Sequence, residues 1–218
     1  MTTRNTEHLA ATVAEHIEAD AVVQGDYWSE DKQKGCFIGC LVHGNRPEII
    51  EDRYGIPVMV VRTAEAIFKR LPADEAKQFF ADFPAAINND GKDLSRVGWQ
   101  FLAQTLRDVP PTIAEVQAVI DPVIAGLDRL AEGEEWPSAA DWARDAAAWA
   151  CDAATWAADA AAASARDVDA AARAAARSGA AAAASARAAA RSGATRFGAW
   201  TAAIRQQRDL LLRLIREA

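Results

Sequence analysis

Val58-Met59-Val60-Val61-Arg62-Thr63-Ala64-Glu65-Ala66-Ile67-Phe68-Lys69-Arg70-Leu71 is the stretch on which the fold class turns. Its first four residues are strand-like by composition, because branched side chains suit a pleated surface. Val61, Ala64, Ala66, Ile67, Phe68 and Leu71 nevertheless repeat at helical spacing, and no partner strand is evident elsewhere in the chain. The stretch therefore reads as a helix, and with it the fold reads as all-α.

Upstream, Gly55-Ile56-Pro57 separates it from a short helix that Pro47 can open at its first position, running through Glu48 to Tyr54. Residues 7–23 (Glu7, His8, Leu9, Val13, Ile17, Ala21) show apolar spacing of three to four and predict a first amphipathic helix. Between the two, Asp26 to Lys34 is polar and aromatic, a loop or short hairpin, and Gly35 to His43 reads as a short helix ended by Gly44-Asn45. Downstream, Pro72 opens a helix through Phe80 or Phe83 that Pro84 interrupts. Asn88-Asn89-Asp90-Gly91 is a turn signal. Asp93 or Ser95 can cap the next helix, which carries Val97, Phe101, Leu102, Thr105 and Leu106 and stops at Pro110-Pro111. Thr112 to Glu115 has capping-box spacing and opens a helix that Pro122 kinks and Glu132-Gly133 ends. Residues 1–133 thus read as a helical globular domain.

From Ala139 to Ala203 the chain is largely alanine, the strongest helix former, and Ser138 to Asp141 supplies a second capping box. Trp142, Trp149 and Trp156 recur every seven residues beside a column of Ala139, Ala146, Ala153 and Ala160, the alternation of a coiled-coil seam. A flanking column runs Asp145, Asp152, Asp159 and then Arg166, Arg173, Ala180 and Arg187. On a helix, Arg166, Arg173, Arg177, Arg187 and Arg191 fall on one face within about 80°. Residues 138–218 are expected to form a long alanine-rich helical segment, folded back as a hairpin or paired with a second copy as a homodimer. A break is expected near Gly193–Gly198, after which Ile204, Leu210, Leu211, Leu212, Leu214 and Ile215 return to a core.

Net charge is −7, yet residues 163–218 hold ten arginines against Asp167, Asp169, Asp209 and Glu217, a balance of +6 that leaves −13 on residues 1–162. An acidic body with a basic tail attracts either itself or a partner. No apolar run approaches 18 residues and no basic-then-apolar leader is present, which predicts a cytoplasmic protein with no membrane contact. The odd count of three cysteines, with Cys36 and Cys40 so close together, favours reduced thiols.

Reactive side chains concentrate in Gly35-Cys36-Phe37-Ile38-Gly39-Cys40-Leu41-Val42-His43-Gly44. On a helix, Cys36, Cys40 and His43 share a face. Cys36 and His43 would lie roughly 10 Å apart along the axis, too far for proton transfer, so Cys40 and His43 are the candidate catalytic dyad. Cys36, near the helix N-terminus, is the thiol that the dipole would most depress. Four roles compete. The weakest is the cluster motif of radical-SAM enzymes, since His43 stands where its third cysteine should be and the alternating strands and helices of that fold are absent. The thiols can simply pack in the interior while His43 satisfies a backbone carbonyl. They can join a metal site that needs a further ligand, from His8, His16 or an acid. They can act as a thiol nucleophile or redox pair. No complete catalytic signature is present, the metal set is incomplete, and no cofactor is implied.

Gln24-Gly25, Tyr27-Trp28 and Lys34-Gly35-Cys36-Phe37-Ile38-Gly39-Cys40-Leu41-Val42-His43 resemble a family of uncharacterised proteins from bacteriophages and bacteria. Tyr54-Gly55-Ile56-Pro57, Ala66-Ile67-Phe68-Lys69-Arg70-Leu71-Pro72, Asp93-Leu94-Ser95-Arg96-Val97 and the alanine- and tryptophan-rich tail are similar to it as well, so the resemblance covers most of the chain. It implies no catalytic assignment. What it implies is a setting, a phage or mobile-element accessory gene, and such genes often encode small proteins that bind and inhibit host machinery, including CRISPR complexes and other defences. The expected function is therefore capture of a host protein or ribonucleoprotein complex through the acidic body or the long helix. The interaction candidates are Asp145, Asp152, Asp159, Trp142, Trp149, Trp156, Arg166, Arg173, Arg177, Arg187 and Arg191. A thiol- or metal-dependent enzyme centred on Cys36, Cys40 and His43 is the alternative. Nucleic-acid binding through the arginine stripe is a weaker one, against which the net acidity and the lack of aromatics among the arginines argue.

Overall fold

The computed structural model describes residues 2–25, 27–108, 114–134 and 181–218. Among them are α1 (Thr6–Glu18), β1 (Trp28–Ser29), β2 (Lys34–Gly35), α2 (Phe37–Val42), α3 (Pro47–Tyr54), α4 (Val58–Arg70), α5 (Ala73–Ile87), α6 (Val97–Arg107), α7 (Ala114–Glu132) and α8 (Ala181–Glu217). The fold is all-α, with a two-stranded antiparallel ribbon pairing Trp28 with Gly35 and Ser29 with Lys34.

The deciding stretch is a helix. α4 buries Val60, Val61, Ala64, Glu65, Ile67 and Phe68, and packing of that stripe outweighs the strand preference of its valines. Its C-terminal carbonyls are closed from outside the helix, because the Gln24 amide donates to the carbonyls of Phe68 (2.6 Å) and Leu71 (2.8 Å). Phe37 of α2 sits at the centre of the aromatic core, with ring centroids 5.0–6.0 Å from those of Phe68, Phe79, Phe80 and Phe83. Offset and edge-on geometries of this kind suit the ring quadrupoles.

Several boundaries differ from the sequence expectation. The first helix stops at Glu18 rather than running to residue 23, because Asp20 turns left-handed (φ 49°) and Val22 then bridges to Gly35 as extended chain. Gly35 is accordingly in β2, and the helix expected over Gly35 to His43 spans only Phe37–Val42. Pro84 does not interrupt α5, which continues to Ile87. Proline removes one ladder bond, but Phe83 just before it and Ala86 and Ile87 beyond it are buried, and the Pro84 carbonyl still accepts the Asn88 N–H at 2.8 Å.

α6 is preceded by Asp93, whose Oδ1 accepts the Ser95 N–H at 3.0 Å. α7 runs through Pro122 and ends where Gly133 takes a positive φ of 85°. The capping box at Thr112 falls outside the described residues, as do the tryptophan and aspartate columns and the expected hairpin.

The chain divides into two units, one made of Met1–Trp136 with Ile204–Ala218 and the other of Pro137–Ala203. In the first, Ile204, Leu210, Leu211, Leu212 and Ile215 join the core cluster, so the leucine-rich end does return to a core. No break precedes it: α8 is continuous through Gly193 and Gly198. Each glycine costs a helix about 1 kcal/mol relative to alanine, too little to stop one so rich in alanine on either side.

Candidate functional site

Cys36 stands just before α2 in extended conformation and Cys40 one turn into it, both 0 % exposed. Cys40 Sγ lies 3.2 Å from the carbonyl oxygen of Gly35 and 3.8 Å from that of Ala21, and its thiol donates there. The Glu65 carboxylate acts on the Cys36 thiol and disfavours its ionised form. Burial pushes both thiols up to about 12, reinforced at Cys36 by Glu65 and at Cys40 by the neighbouring Cys36. The expected depression of Cys36 by the helix dipole is not found. A dipole is worth about 0.3–1 kcal/mol, whereas ionising a fully buried group shifts its pKa by several units. The N-terminus of α2 is moreover occupied, since Ile38 N–H donates to Glu65 Oε2 at 3.0 Å.

Glu65 is the residue that organises this end of the core. It is buried on α4 and pairs through Oε1 with Lys69 Nζ at 2.7 Å, one turn on. Lys69 Nζ in turn lies 4.6 Å above the Tyr27 ring. An acid on the buried stripe of an amphipathic helix, followed by lysine at i+4, was the signal in the sequence that could have found it.

His43 leaves the helix in the left-handed region (φ 49°, ψ 47°). Its ring stacks on Trp28 with centroids 3.9 Å apart and planes 11° from parallel. Its Nε2 lies 3.1 Å from Nε2 of His16 on α1, and His16 Nδ1 lies 2.8 Å from the Thr12 carbonyl oxygen. A carbonyl only accepts, so Nδ1 of His16 carries a proton and its Nε2 holds the lone pair when the ring is neutral. Thr12, His16, Trp28, Gln33, His43 and Arg53 surround a pocket of about 330 Å³, with Cys40 in its floor.

The structure thus brings Cys36 and Cys40 together through Glu65 and the core, and it brings His43 to His16 and Trp28 instead. Cys40 and His43 line one pocket, but the thiol hydrogen bonds run to backbone carbonyls. Of the interaction candidates, Arg187 and Arg191 lie on α8. Asp145, Asp152, Asp159, Trp142, Trp149, Trp156, Arg166, Arg173 and Arg177 fall outside the described residues. Among the described residues, no three His, Cys, Asp or Glu side chains gather as a metal-ligand set, and no helix is long and apolar enough to cross a membrane.

The basic end of the chain does meet acid. Arg205 and Arg208 pair with Glu75 of α5, and the hydrogen bond from Arg205 holds the Glu75 carboxyl below the usual carboxylate range.

No family model, curated protein or solved structure matches this chain.

Proposed function

We propose that the chain is a non-enzymatic interaction protein of the phage accessory type, which binds and inhibits a host protein or ribonucleoprotein such as a CRISPR-type defence complex. The observation that carries this reading is the fate of the two thiols. A nucleophile needs a thiolate that substrate can reach, and Cys36 and Cys40 are fully buried and protonated at neutral pH, with Cys40 bonded to backbone acceptors inside the core.

With chemistry absorbed into packing, the feature left over is charge. Glu30, Asp31 and Asp52 are exposed on the body and Glu51 is half-buried. The aspartates at 145, 152 and 159 repeat along one face of the expected helix. Such a surface suits a partner with a basic, nucleic-acid-binding groove, where like-signed competition for phosphate contacts gives specificity and speed.

The test is capture from a bacterial host with the full chain as bait, beside a triple variant carrying Asp145→Arg, Asp152→Arg and Asp159→Arg. The expected outcome is a defined complex whose yield falls at least tenfold in the variant and with rising salt. Equal capture by both chains removes the proposal.

A further inference from the structure

The pocket beside α1 and α2 contains an arrangement that packing alone does not call for. His16 and His43 come from different elements, are separated by 27 positions, and present Nε2 to Nε2 at 3.1 Å. His16 is held by its Nδ1–H to the Thr12 carbonyl, and His43 by its stack on Trp28. We propose that these two imidazoles form a site for an exchangeable divalent transition-metal ion of the zinc, nickel, cobalt or copper class.

Distance is the first reason. Two imidazole nitrogens at about 2.0–2.1 Å from a tetrahedral ion stand about 3.3 Å apart, so the observed spacing needs little opening to admit one. Orientation is the second. A ligating histidine characteristically gives its other ring N–H to a backbone carbonyl or carboxylate, and the Nδ1–H of His16 does so. Polarity is the third. Two facing lone pairs repel, so either a proton or a cation must lie between them, and a cation satisfies both rings in the same tautomeric sense.

The surroundings set the class and the strength. Imidazole favours borderline ions over magnesium or calcium. Glu15 and Arg53 both line the pocket and oppose each other in charge. Cys40 is excluded from the set, because its thiol stays protonated and is committed to the Gly35 carbonyl. Two protein ligands leave the other positions to water from the open side, which makes the ion exchangeable rather than a condition of folding.

Titration of the full chain with zinc or nickel, by calorimetry and with the third cysteine of the sequence removed as a competing thiol ligand by Cys151→Ser, tests this directly. One ion per chain is expected, with affinity lowered at least ~10-fold by His16→Gln and by His43→Gln. His8→Gln, whose ring instead bonds to the Tyr54 hydroxyl, should leave it unchanged. Should either pocket variant unfold, copper(II) bound to the otherwise intact chain gives the second reading: its paramagnetic resonance should show two equivalent nitrogen couplings. The proposal is overturned by no binding at millimolar metal, by binding that survives both substitutions, or by a copper spectrum without paired nitrogens. In the first case the two histidines share a proton instead.

Discussion

Gly39 and Gly35 are fixed by one atom, the carbonyl oxygen of Tyr27. A Cβ at Gly39 would stand 1.2 Å from it and one at Gly35 2.3 Å, while the Cys36 N–H bonds to the same oxygen at 3.1 Å. The obstacle is backbone on both sides, so no rotamer change relieves it. Gly39→Ala should cost more than ~4 kcal/mol, in the range where point changes unfold domains. A melting temperature equal to the parent's would contradict this. The cysteines that follow each of these glycines make a prediction of opposite character, visible only in alkali. Their folded pKa values lie near 12 against an ordinary 9.0. Below pH 9 folded and unfolded chains are both protonated and nothing is lost. Between pH 9 and 12 only the unfolded chain sheds these protons, so stability falls as pH rises, by on the order of 1 kcal/mol per pH unit for each thiol. Urea unfolding of the parent and of Cys40→Ala at pH 7, 9 and 10.5 separates this from lysine and tyrosine titration. The variant should show the shallower decline, and identical slopes would mean that the thiol is not held as described.

At the scale of elements, what could be read from the sequence was whatever repeats. α4 and the apolar faces of α1 and α6 follow from spacing, because a buried stripe needs a residue every three or four positions, and α3 and α5 follow from the prolines that open them. Two kinds of feature escaped. One is tolerance: α5 passes Pro84 and α8 passes Gly193 and Gly198 because burial or alanine on either side outweighs a local breaker. The other is long-range approach. β1 and β2 are two residues each, and nothing in their composition says that Tyr27 will lie against Gly39 or that His16 will reach His43. Those contacts come from how α1, the ribbon and α2 pack, and spacing carries no trace of them. The last turns of α8 belong to the readable class, and they can be tested there. Leu211 is fully buried, so Leu211→Ala should destabilise the first unit by about 2–5 kcal/mol. Its unfolding midpoint in urea measures this, and a shift within error would mean that the helix end does not contribute to the core.

For the whole molecule, the first unit is closed by chain that arrives from its far end. Ile204, Leu210, Leu211, Leu212 and Ile215 are each 0–6 % exposed. The Lys92 ammonium donates to the terminal carbonyls of Ile215 (2.9 Å) and Arg216 (2.8 Å), closing the helix electrostatically. Burying five aliphatic side chains contributes about 1.5–3 kcal/mol each, as much as the whole net stability of a typical domain. A chain ending at residue 136 should therefore fail to fold cooperatively. A chain in which residues 137–203 are replaced by about 40 Gly/Ser residues, roughly 35 Å in mean span, should fold, because the same five side chains are restored. Calorimetric melting of the two chains decides between this arrangement and a self-sufficient N-terminal domain: a cooperative transition in the truncated chain, at the parent's temperature, would establish the latter. The linker chain also separates fold from function. It keeps the exposed acids of the body and lacks the aspartates at 145, 152 and 159, so loss of host-partner capture with an intact melt would place binding in the alanine-rich segment. Retained capture, like equal capture by the charge-reversal variant, would overturn the proposed reading, because it would leave the aspartate column without a role in binding.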